Sequence, residues 1–423
     1  MFVKIKKRSG GLYFIGDSNT LDFMQYRKDK KSGNGLSVLG FGCMRFPRSL
    51  GVIDMKKTSA MITEAVNRGV NYFDSAWIYP GSEEALGSAL AENGLRDKVY
   101  IASKLPVIVC KKSDDFDKYF SQSLSRLKTD RIDYYLMHML TDIKSWERLK
   151  GWGIEDWIAA KKRSGEARQI GFSFHGSRDD FLAILDSYDW DFCQIQYNYS
   201  NENYQAGRAG LKAAAEKGIP VIIMEPLLGG RLANGLPKAA CEALRMADAK
   251  RSPAGWGLAW LWDQSEVTVA LSGMNRIEQL DENIRFADEA RVGSLGAADF
   301  AVFEEVKSIL NASYKIGCSG CGYCMPCHNG VNIPGCFAAY NASFAFSLVQ
   351  GLQQYVTSTG AATLHPHMAG QCVKCHRCEK HCPQNIKIGA EMDNVKKRLE
   401  PFWVGGILAI ARKFLGISAG KAS

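Results

Sequence analysis

Residues 71–79 read Asn-Tyr-Phe-Asp-Ser-Ala-Trp-Ile-Tyr, a short apolar run that ends in a carboxylate and leads into the helix-compatible stretch 82–93. A strand followed by a helix predicts one unit of an α/β fold. The same order of apolar run, polar turn and amphipathic segment occurs eight times between Leu36 and about Ala290. Eight such units over about 255 residues match the size of a (β/α)8 TIM barrel.

We predict the barrel strands at Val38–Gly42, Asn71–Asp74, Val99–Lys104, Ile132–His138, Gln169–Phe174, Phe192–Tyr197, Pro220–Glu225 and Val267–Ser272. We predict helices at Met55–Gly69, Ser82–Asn93, Asp114–Lys128, Trp146–Ser164, Asp179–Ser187, Tyr204–Gly218, Pro253–Gln264 and Arg276–Ala290. A doubly wound sheet is the alternative architecture. The first turn lacks the G-x-G-x-x-G phosphate loop expected of that alternative, which favours the barrel.

Polar side chains stand at or just beyond the C-terminal ends of seven of these runs: Asp74, Lys104, His138, Ser173, Gln194, Glu225 and Ser272. In a barrel these strand ends converge on the face where active sites are built. A charge in a core strand costs on the order of several kcal/mol unless it has a partner. The repetition therefore predicts a functional site at this face.

The net charge of +9 is confined to the two ends of the chain. Residues 1–31 hold eight Lys and Arg against three acids, and residues 387–423 hold seven against three, so that residues 32–386 are neutral overall. A neutral body with basic, solvated tails argues against a nucleic-acid groove. Phe402–Leu415 is apolar but interrupted by Arg412 and Lys413, which predicts docking on the protein or a membrane surface and no transmembrane segment.

Nine of the thirteen cysteines crowd between Cys318 and Cys382. The basic start of the chain is not followed by the apolar stretch of a secretory signal. Crowded cysteines at metal-ligand spacing, in a chain without such a signal, indicate a cofactor in a reducing compartment rather than disulfides. We therefore expect a cytoplasmic protein.

Several motifs of the barrel region occur together: Asn71–Ala76 running into Tyr79, Gly81-Ser82-Glu83, Leu86-Gly87, Ala102-Ser103-Lys104 and Leu136-Met137-His138. Over roughly Met24 to Ala290 the sequence resembles the aldo-keto reductase family, whose catalytic tetrad is Asp, Tyr, Lys and His in this order. The resemblance implies Asp74, Tyr79, Lys104 and His138 as catalytic residues. A tyrosine phenol has a pKa near ~10 and is a poor acid at neutral pH, so we expect Lys104 to lower the pKa of Tyr79. Asp74 would hold Lys104, and His138 would bind the substrate oxygen.

The resemblance also implies NADPH bound across the same face. Its contacts would be Gly42, Ser173, Gln194, Gly229, Arg231, Gly273, Met274, Arg276, Gln279 and Asn283. Arg276 would pair with the 2′-phosphate, which favours NADPH over NADH. The sequence departs from the family at two places, since Met224 replaces an aromatic residue that stacks on nicotinamide, and Phe174 replaces the Asn that follows the Ser.

The C-terminal cysteines form two groups. Cys372, Cys375, Cys378 and Cys382, with Pro383 after the last, have the spacing of a ferredoxin-type run, which predicts a [4Fe–4S] cubane. Cys318, Cys321, Cys324 and Cys327 repeat the pattern with one residue fewer before the last Cys. Crossed ligation would give one cluster to Cys318, Cys321, Cys324 and Cys382, and the other to Cys327, Cys372, Cys375 and Cys378. Zinc is the alternative metal, but it favours paired C-x-x-C units. Cys336 is left over and is predicted to be a buried thiol.

The link between the groups is about 45 residues long, with Phe337–Tyr355 helix-compatible, and it resembles an α-helical ferredoxin domain. The predicted organisation is an N-terminal extension at 1–23, the aldo-keto reductase barrel at 24–300, a small mainly α-helical ferredoxin-like domain with two [4Fe–4S] clusters at 301–400, and a tail at 401–423.

Three functions remain open at this point. The first is NADPH-dependent reduction of a small-molecule aldehyde or ketone. The second is a reductase fed through the clusters by a ferredoxin-type partner, with flavin as the candidate switch, because NADPH gives two electrons at once and a cubane exchanges one. The third is a non-catalytic electron-transfer protein, against which the intact tetrad argues.

Overall fold

A computed structural model describes residues 24–318, 320, 322–363, 365–382, 384–401 and 403 of the 423. The N-terminal extension at 1–23, Cys321, Pro383 and nearly all of the tail lie outside the described residues, so the predictions for them stay predictions. None of the helices in the described ranges is long and apolar enough to cross a lipid bilayer.

The strands are β1 (Tyr26–Lys28), β2 (Gly35–Ser37), β3 (Leu39–Gly42), β4 (Arg48–Ser49), β5 (Val52–Ile53), β6 (Tyr72–Asp74), β7 (Tyr100–Leu105), β8 (Ile132–Leu140), β9 (Ala167–Phe174), β10 (Phe192–Gln196), β11 (Val221–Met224) and β12 (Val267–Ser272). Eight of them close a parallel barrel in the order β3-β6-β7-β8-β9-β10-β11-β12, which confirms the predicted (β/α)8 fold. The antiparallel pairs β1–β2 and β4–β5 stand outside it.

The helices are α1 (Met55–Asn67), α2 (Ser82–Glu92), α3 (Asp114–Leu127), α4 (Ile143–Gly151), α5 (Ile154–Ser164), α6 (Arg178–Asp186), α7 (Gly207–Glu216), α8 (Arg231–Asn234), α9 (Lys238–Ala247), α10 (Pro253–Trp262), α11 (Ile277–Asp288), α12 (Ala297–Ala312), α13 (Ile333–Ala345), α14 (Leu348–Ser358) and α15 (Ile388–Leu399). Two predicted helices are broken in two. The segment Trp146–Ser164 breaks at Gly153, where φ is +80°, a value that glycine adopts without strain. The segment Phe337–Tyr355 breaks at Phe346, which packs on the core of the barrel instead.

Side chains along the barrel strands alternate between two apolar clusters, as the pleat requires. The larger cluster fills the space between the strands and the helices. The smaller one takes alternate strand residues and fills the barrel interior with Leu36, Tyr72, Ala102, Tyr134, Leu136, Phe192, Ile222, Val269 and Leu271. The interior is therefore a packed core, and any site has to lie above it, at the C-terminal ends of the strands.

Helix α12 packs against α9 and buries Phe303, Val306 and Leu310 in the larger cluster of the barrel. The predicted domain boundary at residue 300 falls inside this helix, whose apolar face belongs to the barrel. Helices α13, α14 and α15 surround a separate small core that also contacts the half-buried cysteines. This arrangement agrees with the predicted mainly α-helical C-terminal domain.

Candidate active site and cysteine-rich region

A layer of polar side chains covers the apolar core in the barrel interior. Tyr72 on β6, Ala102 on β7 and Leu136 on β8 belong to the interior cluster. The next residues that point inward on the same strands are Asp74, Lys104 and His138, because strand side chains repeat with period two. All three are buried, with relative exposures of 5%, 1% and 6%. The structure thus brings three of the four predicted catalytic residues into one layer.

Lys104 and Asp74 form a buried ion pair. The Nζ of Lys104 lies 2.6 Å from Oδ1 of Asp74 and donates a second hydrogen bond, also of 2.6 Å, to the carbonyl oxygen of Ser75. The other carboxylate oxygen accepts a 2.9 Å hydrogen bond from Nε2 of Gln194. Burial alone would lower the pKa of Lys104, but Asp74 and Tyr79 keep it above its ordinary value. Lys104 therefore stays a cation.

Tyr79 lies in the loop after β6 with its ring 5.1 Å from Nζ of Lys104. The ring of His138 meets it edge-on at 5.9 Å between centroids. Burial raises the pKa of the Tyr79 phenol above its ordinary value, and Lys104 acts against that rise without cancelling it. The sequence prediction that Tyr79 has a lowered pKa is therefore correct for the effect of Lys104 and wrong for the net direction, because desolvation is the larger effect.

A β-bulge presents His138 to the site. The pairing of β8 with β9 shifts between Met137 and Leu140, and Met139 takes a φ of +58°. Bulges of this kind re-aim a side chain and are common next to active sites. The hydroxyl of Ser173 accepts a 2.9 Å hydrogen bond from the Met139 amide and so supports the bulge. Burial lowers the pKa of His138 well below its ordinary value, and Lys104 lowers it further, so the imidazole is neutral.

Sequence reasoning missed several residues at this face. His175 follows β9, Gln196 ends β10, and Gln205 lies in the loop after β10, where it donates a 2.7 Å hydrogen bond to Gln196. Burial lowers the pKa of His175. The alternation of β9 was the available signal, because it places His175 on the same side as Ser173.

Several of the predicted NADPH contacts surround the start of α11. Gly273 and Arg276 are exposed there, and α11 begins without a side-chain cap, which leaves its first amides free for an anion. Met274 and Asn283 are buried, and Asn283 donates to the hydroxyl of Ser272. Gln279 accepts a hydrogen bond from the Asn275 amide. Gly42 packs against the backbone of Ser272 and Gly273.

Arg45 is a further residue that sequence reasoning missed. It is exposed, packs against Gly273, and donates a 2.8 Å hydrogen bond to the carbonyl oxygen of Gly229. A Cβ atom at Gly229 would lie 3.0 Å from its guanidinium. Arg45 thus joins the loops after β11 and β12 and adds a positive charge beside the uncapped helix.

Arg231 has a different environment from the one that the sequence suggests. Its guanidinium is buried and donates to the carbonyl oxygen of Leu228 at 2.8 Å and to Oε1 of Gln354 at 3.0 Å. It also lies 5.4 Å from the ring centroid of Phe346. The sequence predicts that Arg231 contacts the cofactor, whereas in the structure it contacts Leu228 of the barrel and two residues of the C-terminal domain, Gln354 and Phe346.

The C-terminal domain contacts the barrel at its catalytic face. His367 Nε2 lies 3.6 Å from Oδ2 of Asp142, which follows β8, and its Nδ1 lies 2.7 Å from the carbonyl oxygen of Gly330. Tyr204, in the loop after β10, donates a 3.3 Å hydrogen bond to the carbonyl oxygen of Cys318. Together with Arg231, these contacts place the cysteine-rich region against loops that follow β8, β10 and β11.

Four cysteines line one small pocket: Cys327, Cys372, Cys375 and Cys378. Burial raises the pKa of Cys378 to about 11, and the nearby Cys327, Cys372 and Cys375 contribute. Lys374 and His376, on either side of Cys375, both have positive φ angles near +55°. Strained backbone of this kind is typical of ligand sites. This set is one of the two predicted by crossed ligation.

In the part of the chain that the structure describes, no three His, Cys, Asp or Glu side chains converge closely enough to hold a single metal ion. A cubane makes a different demand, because each thiolate binds a different iron atom and the sulfurs stand around a cavity. The four cysteines that line one pocket agree with the second of these conditions. Cys318, Cys324 and Cys382 are half-buried against the small core, and Cys321 lies outside the described residues. Cys336 is fully buried, as predicted.

The arrangement of the barrel and its tetrad agrees with comparisons to known proteins. Residues 38–293 match the model of the aldo/keto reductase family. The chain belongs to this family. Residues 317–386 match the model of a 4Fe-4S dicluster domain, so this aldo/keto reductase carries an iron–sulfur domain that follows the barrel in the sequence.

Related aldo/keto reductases match about three fifths of the chain. The aldo-keto reductase yakc [NADP(+)] of Schizosaccharomyces pombe is 24% identical over 60% of this chain and 85% of its own. The L-glyceraldehyde 3-phosphate reductase of Escherichia coli is 25% identical over 62% of this chain and 87% of its own.

Solved structures show the same fold. The holo form of an aldo-keto reductase from Bacillus halodurans superposes with a TM-score of 0.56 at 23% identity, over 67% of this chain and 96% of its own. An aldo/keto reductase from Klebsiella pneumoniae, in complex with NADP and acetate, superposes with a TM-score of 0.53 at 23% identity, over 68% of this chain and 95% of its own.

Proposed function

We propose that this chain is an NADPH-dependent reductase of small aldehydes or ketones, with Asp74, Tyr79, Lys104 and His138 as its catalytic residues. The observation that carries the proposal is the position of the Lys104 ammonium. It is paired with Asp74 at 2.6 Å and lies 5.1 Å from the ring of Tyr79, and the ring of His138 meets the Tyr79 ring edge-on at 5.9 Å between centroids. This geometry supplies a proton donor, Tyr79, and a polar place for the oxygen of the substrate carbonyl. Both lie above the apolar core of the barrel.

When bound, NADPH would supply the hydride for the carbonyl carbon, so the protein has to supply a proton to the carbonyl oxygen. Tyr79 donates its hydroxyl proton, and the Lys104 cation stabilises the phenolate that remains. Asp74 holds Lys104 in place. The neutral imidazole of His138 donates a hydrogen bond to the carbonyl oxygen and fixes its distance from the Tyr79 hydroxyl.

The residues at the face fit the cofactor. The uncapped start of α11, with Arg276 beside it and Arg45 across Gly273, provides the amides and cations that a phosphate needs. Half-buried Met224 stands at the top of the barrel interior, where its polarizable sulfur can pack on a ring. The name of the yeast relative, which includes NADP(+), supports the same choice.

We propose two [4Fe–4S] clusters with crossed ligation, one on Cys327, Cys372, Cys375 and Cys378, and one on Cys318, Cys321, Cys324 and Cys382. The pocket lined by the first set supports this pairing. Bound clusters would supply one-electron transfer. Because such clusters and free thiols persist in a reducing compartment, we propose a cytoplasmic location.

The test is Tyr79→Phe in the iron-loaded protein. The variant should lose ~10²–10⁴-fold in kcat for aldehyde reduction, the range assigned to general acid catalysis, because only the proton donor is removed. NADPH affinity, followed by fluorescence titration, should stay within two-fold, about the limit of a resolvable change. Lys104→Met should act in the same direction, and the double variant should be little worse than either single one. Full activity of Tyr79→Phe would overturn the proposal.

A second candidate function is a reductase that receives its electrons through the clusters. One observation favours it, the packing of the cysteine-containing domain on the loop after β8. Two electrons from a ferredoxin-type protein would pass through the clusters, with two protons, to a substrate or a flavin at the barrel face. Anaerobic absorption spectra before and after NADPH distinguish the two functions. Bleaching of the cluster band by NADPH, or a structured flavin band, would favour the second function, and no change with steady NADPH oxidation by an aldehyde would favour the first.

A further inference from the structure

The two proposed sets of cluster ligands have different surroundings. The chain around Cys318 packs on the barrel, since Tyr204 donates a hydrogen bond to the carbonyl oxygen of Cys318. A Cβ atom at Gly320 would lie 3.4 Å from the ring of Tyr204. Cys375 belongs to the other set, and among the cysteines that the structure describes it is the only exposed one. The cluster proposed for the Cys375 set therefore has a side that is open to solvent.

Positive charge surrounds this exposed cysteine. Four exposed cations form what we call the basic patch: Lys374, Arg377, Lys380 and Lys387. Lys374 pairs with Asp393 at 2.6 Å, but both side chains are more than half exposed, and such a pair is weak and screened by salt. Within the described ranges, no carboxylate forms an ion pair with any of the other three cations. Their charge is therefore available to a partner.

The acidic residue of the same segment is turned inward. The side chain of Glu379 is 17% exposed, and its Oε1 accepts hydrogen bonds of 2.9 Å from the amide of Gly389 and from Nδ1 of His376. The bond to Gly389 joins the cysteine run to the start of α15 and so brings Lys387, two residues earlier in the chain, beside the other cations. The surface around Cys375 therefore presents cations to solvent while its nearest acid is occupied.

The chemistry of this surface limits what docks on it. A cubane exchanges one electron at a time, and electrons pass quickly between proteins only when the two redox centres come close. A partner therefore has to bring a one-electron centre to Cys375, which a hydride donor does not provide. A positive surface attracts a negative partner and speeds its association at low salt. Val373, which is 59% exposed, adds the apolar contact that the centre of a protein interface needs.

We propose that the basic patch around Cys375 is the docking site of an acidic protein that carries single electrons. One electron passes between the redox centre of this partner and the cluster of the Cys375 set, and no bond forms or breaks. The proposal rests on the two proposed clusters and gives the reductase that receives its electrons through them a point of entry. Transient redox interfaces are small, so we expect binding to be weak and sensitive to salt.

The experiment uses the iron-loaded full chain and, as the probe, an acidic [2Fe–2S] ferredoxin of the plant type. The Kd for oxidised ferredoxin, measured by calorimetry at low ionic strength, should rise about 10-fold or more in the double variant Arg377→Glu/Lys380→Glu, because two cations become anions. The second-order rate constant for electron transfer between the two proteins, from anaerobic stopped-flow absorbance, should fall by a similar factor. Both differences should nearly vanish at ~1 M salt, where the Debye length is ~3 Å.

The matched control is the double variant Arg163→Glu/Lys98→Glu. It makes the same change of net charge with the same residue types, at two exposed cations that precede β9 and β7. These positions lie at the N-terminal end of the barrel strands, whereas the C-terminal domain contacts the opposite face. The control should keep Kd and the rate constant within about two-fold of the wild type. Cytochrome c, a basic one-electron carrier, should show no such attraction, and its rate constant should rise with salt.

Equal Kd values and rates in the two double variants would overturn the docking site, as would an affinity for ferredoxin that does not change with salt. Binding of the wild type to vesicles of phosphatidylglycerol and phosphatidylcholine, without binding to ferredoxin, would also overturn it and assign the basic patch to a lipid surface. If Arg377→Glu/Lys380→Glu loses iron, Lys387→Glu, outside the run of cysteines, gives the same comparison. Iron and sulfide analysis separates these results from failure of the cluster proposal, which a wild type without clusters would show.

Discussion

The barrel and the C-terminal domain obtain their stability in different ways. One apolar cluster runs from Met24 to Leu310 and joins the barrel strands to the helices around them. The C-terminal core holds only twelve buried residues in the described ranges, and half-buried cysteines rim it. A small core of this size usually needs a metal to be stable. We therefore expect the barrel to fold without iron, whereas the folding of the C-terminal domain should depend on iron.

The largest expected effect concerns the clusters. Cys375→Ser should remove roughly half of the iron, because a missing thiolate destabilises one cubane and the other keeps its own ligands. Iron and sulfide analysis measures the loss, and circular dichroism should show the barrel still folded. Cys241→Ser, at a half-buried barrel cysteine far from both groups in sequence, is the matched control and should keep all of the iron.

Two outcomes would contradict this view. Stoichiometric zinc in the wild-type protein would remove the cubane assignment altogether. Complete unfolding of Cys375→Ser would show that the barrel depends on the C-terminal domain, and that the difference between the two regions is smaller than their cores suggest.

The sequence predicted most of the barrel because its signals are local. Apolar runs and polar strand ends located all eight barrel strands within a few residues. The boundary at residue 300 could not be found in this way, because only tertiary packing shows that Phe303, Val306 and Leu310 belong to the barrel core. The break of the predicted helix at Phe346 was missed for the same reason, because it depends on the packing of Phe346 against the barrel core.

The site was predictable to a similar extent. The tetrad motifs identified residues that the fold brings together, since each stands at or just after a strand end. The net pKa of Tyr79 was not predictable, because it depends on the balance of burial and the Lys104 charge in three dimensions. The position of Arg231 was missed because its partners, Gln354 and Phe346, are more than a hundred residues away in the chain.

We expect an effect of intermediate size on the stability of the protein when Arg231 is replaced. Arg231→Met should lower the free energy of unfolding of the iron-loaded protein by about 1–3 kcal/mol, since Oε1 of Gln354 loses its buried donor. Denaturant titration measures it. Arg245→Met on α9, an exposed arginine paired with Glu242, is the control and should change stability by less than about 0.5 kcal/mol.

The same variant distinguishes two roles for Arg231. A contact with the C-terminal domain predicts unchanged affinity for NADPH together with lower stability. The cofactor role that the sequence suggests predicts the reverse, weaker NADPH binding at unchanged stability, and fluorescence titration of the two variants would decide between them.

The smallest effect is a pH dependence of the contact between the two regions. The Asp142 carboxylate, which faces Nε2 of His367 at 3.6 Å and accepts its proton, raises the pKa of His367 above its ordinary value, with Asp180 adding to the rise. Burial alone would raise the pKa of Asp142, but the hydrogen bonds from His367 and Ser145 bring it to about 2. The contribution of His367 is therefore complete below its ordinary pKa of about 6.5 and is lost as the pH rises through the raised value. That of Asp142 is lost only when the pH falls from about 4 towards 2.

The ion pair should consequently stabilise the contact most between about pH 4 and pH 6.5, and progressively less above that range. His367→Gln should reduce the stability of the iron-loaded protein at pH 6, and its difference from the wild type should shrink by pH 8.5, as measured by denaturant titration at both values. His365→Gln, at an exposed histidine two residues away, should show no such dependence. A difference that is constant with pH would mean that His367 contributes through its hydrogen bond to Gly330 and its packing. The two regions would then be joined without an ionic contact at Asp142.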